Sequence, residues 1–570
     1  MRSSSPSSIQ ELQLNRQFNR HFSTEKMEEE APHQWLNLAL ISLSLLFLLY
    51  RFFLHKSTNP NHRLPPSPPS LPIIGHLHLV KEPLHRTLHD LSLQHGPVFF
   101  LRFGSRKTVV VSSPLAVEEC FTGKDVTFAN RPHLLPGKLL AYDYSTMGSS
   151  PYGDYWRNLR RFTAVEMFSA RPLADYSAVR QEEALSLVRQ LFRDHCCLGD
   201  RKDREWLEVD MRWRLSDLTL NVMMRMIAGK SYFGTDQVSE EGREFREIMR
   251  EFSQLFGRAG YIGDFIPALW WADFHGVKKK MKSVMRKADV FFQQLVDEHS
   301  GKRNKPSVAA SVSSKGVQGT RSSRTTFIDR MLDVQEQDPE FYTNTTVKSL
   351  VQAMLVGGGD TTATAIEWAM ILLLNHSEAM RRACDEIESK VGHDRLLEES
   401  DLANLSYLQN VVSETMRLYP SAPLLLPHES SEDTTIGNFH VPRGTMLLVN
   451  AWSLHRDPKL WKDAESFMPE RFDGGQESNE GFKMIPFGAG RRACPGAALG
   501  RRVVGLALGA LLQCFEWRRV GLEEIDMTEG NGLTAPPAEP LQALCKPREI
   551  ITPFLASGDD HIREETMKKC

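Results

Sequence analysis

The sequence predicts a mainly α-helical protein with small β-sheets. Residues 165–300 have a helical pattern, and further apolar helices are predicted over residues 347–375 and after Gly496. β-Structure is indicated by two short runs, Val98–Phe103 and residues 108–111, which are joined by Gly104-Ser105. Two such runs on either side of a short glycine-containing turn predict a hairpin. Helices are therefore expected to form most of the chain.

Length, charge and cysteine content restrict the class of protein. The chain has 570 residues, a length that by itself suggests several domains, and its net charge is −2. This balance gives no indication of nucleic acid as a partner. The eight cysteines have no disulfide or zinc spacing, and no histidine–cysteine quartet surrounds the single adjacent pair, Cys196-Cys197. The pattern indicates a reducing compartment with mostly buried or incidental thiols.

The N-terminal segment is predicted to anchor the chain in a membrane. Residues 35–54 are almost all apolar, and about 20 such residues span a bilayer. Acidic residues precede this segment and basic residues follow it, so the positive-inside rule places the rest of the chain in the cytosol. A buried core helix is the alternative. Residues 1–34 are predicted to be a disordered extension, in which residues 1–26 are either a transit peptide or sequence upstream of a start at Met27.

A proline-rich stretch follows the anchor. Residues 64–72 are dense in proline, which predicts a stiff polyproline-type segment. We expect residues 55–72 to form a hinge that fixes the orientation of the folded body against the membrane. A ligand for an SH3-type domain is the alternative interpretation.

Three further segments carry weaker signals. Residues 261–271 are apolar and aromatic and include Trp270-Trp271, which predicts core packing, with contact to a membrane as the alternative. Residues 301–325 are rich in Ser, Gly, Lys and Arg and predict a flexible surface loop. Residues 557–570 are predicted to be a polar tail.

The most informative residue is Cys494, in the glycine-rich stretch 487–496. An apolar helical run starts directly after this stretch, so Cys494 is expected at a helix N-terminus. Partial positive charge there, with Arg491 and Arg492 beside it, should lower the pKa of the thiol and favour the thiolate. Such a thiolate is a good ligand for iron. Gly496 would let a flat macrocycle approach closely.

Two other interpretations fit parts of this stretch. One is a structural cysteine in a glycine turn. The other is a dinucleotide-binding fingerprint, because residues 488–493 match G-x-G-x-x-G/A. That fingerprint requires a preceding β-strand within a βαβ unit, whereas Pro486 precedes it here and cannot donate to a sheet ladder. We interpret the fingerprint match as accidental.

The complete spacing F-x-x-G-x-R-x-C-x-G closely resembles the haem-binding signature of the cytochrome P-450 monooxygenases. It is supplied by Phe487, Gly490, Arg492, Cys494 and Gly496. The resemblance implies haem b with Cys494 as the iron ligand and with Phe487, Arg492 and Gly496 at the cofactor. It also implies the cytochrome P-450 fold, as one large domain over residues 73–556 instead of several.

A second resemblance lies in the predicted helix 347–375. Each glycine inside a helix costs about 1 kcal/mol relative to alanine, so the run Gly357-Gly358-Gly359 requires a reason, either room for a ligand or a helix break. With Asp360-Thr361-Thr362 it matches [AG]-G-x-[DE]-T-[ST], which in the resembled family forms the groove for dioxygen. The resemblance implies that Asp360 and Thr361 relay protons there. Gly359 replaces the more usual threonine of plant members.

Two arginine motifs also match. Trp156 and Arg160 lie four residues apart on one predicted helix face and resemble the W-x-x-x-R pair that contacts a haem propionate; a surface cation–π pair is the alternative. Glu414 and Arg417, with Arg471 in the stretch Pro469-Glu470-Arg471-Phe472, resemble the buried Glu–Arg–Arg network of the family. An exposed pair of little energetic value is the alternative for Glu414 and Arg417.

The segment between these motifs points to a subfamily. Residues 424–433 and 442–445 are similar to plant A-type members, nearest the isoflavone 2'-hydroxylase-like subfamily. Leu424, Leu425 and Leu426 would then line the substrate side of the haem. His428 could reach a propionate or could be a plain turn residue.

Together the resemblances imply a haem-thiolate monooxygenase in the endoplasmic reticulum membrane, single-pass, with its catalytic domain in the cytosol. Its substrate would be a small aromatic molecule such as a flavonoid, isoflavonoid, other phenolic or indole, which it would hydroxylate or oxidatively ring-close. The chain has no credible nucleotide site, so electrons from NADPH are expected through a membrane-bound reductase. Four arginines without evident acidic neighbours in sequence are predicted to dock it, namely Arg157, Arg161, Arg501 and Arg502.

Two other functions stay open at this point. A non-catalytic haem-binding protein would keep Cys494 but would not need Asp360 and Thr361. A reductase-independent haem-thiolate isomerase or dehydratase usually loses this acid–alcohol pair. The presence of both residues favours the monooxygenase.

Overall fold

The computed structural model describes residues 36–49, 63–197, 205–234, 238–256, 260–303, 325–474 and 481–548. The predicted extension 1–34 and the predicted tail 557–570 lie outside these residues. The chain divides into two units, residues 1–63 and residues 64–570, which are described separately.

Apart from Arg63, the described part of the first unit is one apolar helix, α1 (Leu36–Leu49). Its leucines are exposed. At about 1.5 Å per residue α1 is roughly 21 Å long, shorter than the hydrocarbon core of a bilayer. Residues 35 and 50–54 of the predicted anchor lie outside the described residues, so the anchor 35–54 stays a prediction.

The second unit is mainly helical. Its helices are α2 (Leu84–His95), α3 (Pro114–Phe121), α4 (Leu135–Leu140), α5 (Asp154–Thr163), α6 (Ala170–Asp175), α7 (Ser177–Cys196), α8 (Met211–Ala228), α9 (Glu240–Phe256), α10 (Ile262–Phe265), α11 (Val277–Arg303), α12 (Phe327–Gln337), α13 (Asn344–Gly358), α14 (Asp360–Asn375), α15 (Ser377–Val391), α16 (Ser406–Leu418), α17 (Ala451–Leu454) and α18 (Ala497–Cys514). A single π-helical turn, Ala164–Phe168, follows α5.

The described strands form three small sheets. They are β1 (Val98–Phe103), β2 (Arg106–Val111), β3 (Leu207–Asp210), β4 (His428–Glu429), β5 (Thr434–Ile436), β6 (Phe439–Val441), β7 (Met446–Val449), β8 (Phe515–Arg519) and β9 (Gln542–Pro547). The strand orders are β1-β2-β7-β4, β3-β9-β8 and β5-β6. The predicted hairpin is confirmed, since β1 and β2 pair antiparallel with Val98 opposite Val111. Strand β3 corrects the helical prediction for 165–300; it forms by pairing with β9, far away in sequence.

The core lies where α14 packs against α8, α16 and α18. Trp368 of α14 is fully buried, stacks on Tyr419 with ring centroids 3.9 Å apart, and donates to the Ala535 carbonyl at 2.8 Å. Among the described helices, α18 alone is long and apolar enough to cross a membrane, but 67% of it is buried in this core. We therefore assign α18 to the core of the folded body.

The described part of the proline-rich segment is packed onto the folded body. Pro65 and Pro68 are buried, the Phe100 N–H donates to the Pro66 carbonyl at 2.8 Å, and His76 Nε2 lies 2.9 Å from the Pro68 carbonyl oxygen. Residues 64–72 are thus fixed against β1. The preceding part of the predicted hinge, 55–62, lies outside the described residues.

Between α9 and α12, one sequence prediction is wrong and another falls mostly outside the described residues. Trp270 and Trp271 were expected in the core but are 68% and 70% exposed. They lie on the short connection after α10, whereas Phe265, the last residue of α10, packs against Phe103 with ring centroids 5.8 Å apart. Helix α11 continues to Arg303, and most of the predicted loop 301–325 lies outside the described residues.

The predicted helix 347–375 is two helices. α13 ends at Gly358 and α14 begins at Asp360, with Gly359 between them at φ −75° and ψ −77°. The break falls inside the glycine run, where the intrinsic preference for helix is weakest. Asp360 and Thr361 therefore lie in the first turn of α14.

Candidate active site

The cysteine loop is closed by its own backbone. The N–H of Cys494 donates to the Phe487 carbonyl at 2.8 Å, and Gly488 and Gly490 between them have φ of 69° and 67°. This left-handed backbone favours glycine. A Cβ at Gly490 would also lie 2.5 Å from Asp125 Oδ1, so glycine is required there for packing as well. Gly496 then precedes α18.

Cys494 is a free cysteine and is exposed to solvent, although the neighbouring protein still desolvates its thiol in part. Burial raises the pKa of the thiol, while the Gly496 N–H and Arg160 act in the opposite direction. The expectation that the helix N-terminus would lower this pKa is therefore wrong for the protein alone, because desolvation outweighs the local dipoles and charge. A metal ion bound to the sulfur would supply the missing positive charge, since a coordinating thiol is deprotonated outright.

Arg492 is held beside the loop by backbone oxygens. Its guanidinium donates to the carbonyls of Ser150 at 2.6 Å, Ala129 at 2.7 Å and Met147 at 3.2 Å. It also lies over the Trp156 ring at 4.4 Å. Trp156 is buried on α5 and donates its indole N–H to the same Met147 carbonyl at 3.1 Å. The cation paired with Trp156 is thus Arg492, which corrects the alternative of a surface pair with Arg160.

Arg131 is a site residue that the sequence analysis missed. It is buried and donates only to backbone carbonyls, those of Pro427 at 2.7 Å, Leu426 at 2.9 Å and Gly148 at 3.2 Å. Burial, reinforced by Arg492, holds its pKa well below the usual value. The only signal in sequence was an arginine directly before Pro132.

His428 lies on β4 and is buried, so it is a strand residue and not a turn residue. Its Nδ1 lies 2.7 Å from the Phe128 carbonyl and therefore donates to it. The ring packs against Phe121 with centroids 5.0 Å apart. Burial, together with Arg131, lowers the pKa of His428 well below its usual value, so the ring is neutral unless an anion joins it.

The three arginines beside the cysteine loop form a cationic cluster that has no anion within it. In the described part of the chain the carboxylate of Asp125 pairs with the neighbouring Arg491, and no carboxylate pairs with Arg131, Arg160 or Arg492. Burial lowers the pKa of Arg160, and burial with the charge of Arg160 lowers that of Arg492 to about 10. Buried cations require compensating negative charge. A soft thiol ligand beside such a cluster fits a haem: Cys494 would bind its iron, and the arginines would compensate the negative charge of its propionates.

The glycine run at the helix break fits tightly against α8. A Cβ at Gly358 would lie 2.6 Å from Met223 Sδ, and one at Gly359 would lie 2.9 Å from Leu220 Cδ2 and 3.0 Å from the Leu355 carbonyl oxygen. Gly357 has open space around it. Glycine at 358 and 359 thus allows close helix packing, whereas Gly357 leaves room at the surface of the break.

The acid–alcohol pair at the break has specific partners. Thr361 Oγ1 donates to the Gly357 carbonyl at 2.7 Å. Asp360 Oδ2 accepts from Ser253 Oγ at 2.9 Å and from Thr534 Oγ1 at 2.7 Å. Ser253 lies on α9 and Thr534 in the segment before β9, so neither partner could be recognised from spacing in the sequence.

Glu414 joins two arginines in the interior. Arg417 Nε and Nη2 donate to its two oxygens at 2.7 and 2.8 Å, and Arg471 Nε donates to Oε1 at 3.0 Å. The side chains of Glu414 and Arg417 are 0% exposed, so the alternative of an exposed pair does not apply. Arg417 further donates to the His455 carbonyl at 2.7 Å.

The three leucines of the predicted substrate wall point in different directions. Leu424 packs against the cluster around β1, and buried Leu425 lies near the cysteine loop, with its Cδ1 3.8 Å from a Cβ built on Gly488. Leu426 is 38% exposed. The φ of 54° at Leu425 turns the chain between them. The structure therefore brings only Leu425 to the cysteine loop.

The four arginines predicted to dock a reductase differ in their contacts. Arg157 forms an ion pair with Asp154, and Arg502 pairs with Glu399 at 3.0 Å, so both have acidic neighbours that the sequence analysis overlooked. Arg161 donates to Asn158, and Arg501 lies over the Phe487 ring at 5.4 Å. Glu399 lies about one hundred positions before Arg502, so that pair forms only on folding.

The chain is similar to known proteins in both sequence and structure. The Cytochrome P450 family profile matches residues 65–542. Isoflavone 3'-hydroxylase of Medicago truncatula is 45% identical over 511 residues, covering 89% of this chain and 97% of that protein. Isoflavone 2'-hydroxylase of Glycyrrhiza echinata is 42% identical over 519 residues, covering 90% and 98%. A zebrafish cytochrome P450 structure with abiraterone has a TM-score of 0.68 at 26% identity, covering 82% of this chain and 100% of that one.

These similarities confirm the family resemblance, the likeness to the isoflavone 2'-hydroxylase group and the fold class. They also confirm haem b as the cofactor, with NADPH supplied through a reductase, and a monooxygenase as the type of enzyme. The chain therefore belongs to the cytochrome P450 family.

Proposed function

We propose that this monooxygenase hydroxylates or oxidatively ring-closes a small aromatic plant secondary metabolite, such as a flavonoid, isoflavonoid, other phenolic or indole. The observation that carries the proposal is a free thiol beside an uncompensated arginine cluster, together with an acid–alcohol pair at a helix break. The names of the two isoflavone hydroxylases support an aromatic substrate.

Cys494 is the iron ligand in this proposal. Arg131, Trp156, Arg160, His428 and Arg492 hold the propionate edge, and Phe487 and Gly496 shape the cysteine side. Haem bound there supplies an iron centre at which dioxygen is activated with electrons from NADPH. The Glu414–Arg417–Arg471 network would hold in place the part of the chain that supports the cysteine loop.

Asp360 and Thr361 would deliver protons to the reaction in this proposal. Both hydroxyl groups that contact the Asp360 carboxylate donate to Oδ2. Its other oxygen, Oδ1, accepts no hydrogen bond from the described residues. It can take a proton from a water on the solvent side and release it toward Thr361 Oγ1. A placed acid of this kind accelerates proton transfer by about 10²–10⁴-fold. Leu425 lies at the cysteine loop, where it would limit the space beside a bound haem.

Two less specific functions are weaker candidates. A haem carrier has no use for a carboxylate held by two hydroxyl groups next to an open glycine, as at Asp360 and Gly357. A reductase-independent isomerase or dehydratase likewise needs no proton relay at this position. The arrangement around Asp360 favours the monooxygenase over both.

The proposed location is the endoplasmic reticulum membrane, with residues 35–54 as the single anchor and the haem domain in the cytosol. The apolar helix α1 supports the anchor. The exposed Trp270 and Trp271 support the alternative that their segment contacts a membrane, because amphipathic indole rings favour the interface. The reductase partner would meet the surface that carries Arg157, Arg161, Arg501 and Arg502.

The deciding experiment is an assay of microsomes that contain the protein and a plant reductase. Isoflavones, flavonoids, lignans, phenylpropanoids and indoles are supplied with NADPH, with fatty acids and steroids as comparison substrates, and products are measured by mass spectrometry under ¹⁸O₂. We expect NADPH-dependent conversion of at least one aromatic class, with one ¹⁸O atom in a hydroxylated product. Selective turnover of fatty acids or steroids, with no aromatic substrate converted, would overturn the proposal.

A further inference from the structure

Asp360 joins three separate parts of the fold. Its Oδ2 accepts from Ser253 on α9 at 2.9 Å and from Thr534 in the segment before β9 at 2.7 Å, while its backbone begins α14. A carboxylate at the first residue of a helix has several accessible rotamers. Two donors that converge on one oxygen select a single orientation.

The neighbouring contacts close a ring around the acid–alcohol pair. Beside Thr534, the Ala535 N–H donates to the Ser421 carbonyl at 3.1 Å, and Ser421 Oγ donates to the Thr361 carbonyl at 2.9 Å. Asp360 and Thr361 are therefore tied through the same C-terminal segment. Movement of this segment would displace both residues together.

We infer that Ser253 and Thr534 are positioning residues for proton delivery: their hydroxyls hold Asp360 Oδ2 and so present Oδ1 toward Thr361. The inference rests on the proposed role of Asp360 as a proton relay. The proton enters at Oδ1 and leaves toward the Thr361 hydroxyl, so the carboxylate returns to its starting charge. A freely rotating Asp360 carboxylate would point away from Thr361 for part of the time, and proton transfer to Thr361 would be slower.

The variants remove each hydroxyl while keeping the size of the side chain. Ser253→Ala and Thr534→Val each lose one donor, whereas Ser253→Thr and Thr534→Ser keep it. Thr528→Val is the matched control, because Thr528 Oγ1 donates to a carboxylate of the same C-terminal segment, Asp526, at 2.7 Å. Asp360→Asn removes the carboxylate itself and therefore shows the largest effect that loss of the proton relay can have.

Two measurements are made on haem-loaded protein with normalised haem content. Product formed per NADPH is expected to fall about threefold in each single variant and roughly tenfold in the double variant, which corresponds to the lower end of the net contribution of one hydrogen bond per variant. The C–O stretching frequency of the reduced carbon monoxide complex, which reports the distal electric field without turnover, is expected to shift in the same variants. The hydroxyl-retaining variants and Thr528→Val should match the parent protein in both.

Each outcome is decisive. If Asp360→Asn changes neither coupling nor frequency, the proton relay of the proposed function fails. If Asp360→Asn acts and the variants without a hydroxyl at 253 and 534 do not, the relay stands and the positioning inference is overturned. An equal change in Thr528→Val, or failure of Ser253→Thr and Thr534→Ser to restore the parent values, would also overturn it.

Discussion

The Nε2 atom of His455 lies 2.8 Å from the backbone nitrogen of Ile485 and accepts its hydrogen bond. His455 is fully buried, and its own carbonyl accepts from Arg417 of the Glu414 network. One histidine therefore connects that network to the chain that enters the cysteine loop. The bond requires the neutral ring, because a protonated imidazole has no acceptor.

This connection predicts acid sensitivity. Burial, reinforced by Arg417 and Arg456, lowers the pKa of His455 to about 3. The unfolded value is about 6.5, so the folded protein binds fewer protons between these values. The stability from this group is complete above about pH 6.5 and is lost as the pH falls toward 3, by up to about 1.4 kcal/mol per pH unit.

The test is His455→Gln, whose amide oxygen can still accept from Ile485 without titrating. We expect its free energy of unfolding and its haem retention to fall less steeply between pH 6.5 and 4 than those of the parent protein. Parallel curves for the two proteins would mean that other groups control the acid response.

Removal of Glu414 should be far more damaging than removal of a surface acid. Glu414→Ala leaves Arg417 buried without its carboxylate, and breaking such a pair costs about 3–5 kcal/mol. We expect loss of haem incorporation and a large drop in the unfolding midpoint. Glu378→Ala is the control, because its pair with Arg381 is exposed, and little change is expected. Equal effects of both variants would contradict the importance of the buried network.

Gly359→Thr restores the residue more usual in plant members and should destabilise this protein. The new Cβ would lie 2.9 Å from Leu220 Cδ2 and 3.0 Å from the Leu355 carbonyl oxygen. Overpacking of this kind costs about 1–3 kcal/mol. The additional change Leu220→Ala should recover part of the loss, measured by thermal unfolding. Gly357→Ala, which meets open space, is the control and should not destabilise.

Cys494→Ser should abolish the spectrum typical of thiolate ligation in the reduced carbon monoxide complex. Cys514 and Cys545 are the controls, because both are buried and burial raises the pKa of each thiol to about 12. Their serine variants should keep the spectrum if they fold. A thiolate-type spectrum in Cys494→Ser would show that another cysteine binds the iron.

The parts of the fold that short-range patterns determine could be predicted. The hairpin, the glycine loop and the helix after it follow from local backbone preferences, and they lie where the sequence placed them. Pairs separated by long stretches of chain could not be predicted in this way. Strand β3 needs β9, and Arg502 needs Glu399, neither of which is near in sequence.

The same limit applies to the site. Cys494 and Asp360 lie in motifs, whereas Arg131, Ser253 and Thr534 have contacts with distant residues that only folding creates. The pKa of Cys494 was predicted in the wrong direction because sequence reveals the helix dipole but not the burial that opposes it. Trp270 and Trp271 were placed in the core because apolar character alone does not distinguish a core from an exposed surface.

The final prediction concerns Thr361. Its hydroxyl donates to the Gly357 carbonyl at 2.7 Å and stands next to Asp360 at the helix break. If it passes protons, Thr361→Ala should bind haem and substrate and still consume NADPH, while product per NADPH falls and released hydrogen peroxide rises. Thr361→Ser keeps the hydroxyl and should stay close to the parent protein. Both quantities are normalised to spectrally intact haem, so that a loss of stability is not counted as a loss of coupling. Loss of haem in proportion to activity, with unchanged coupling, would instead assign Thr361 to helix packing.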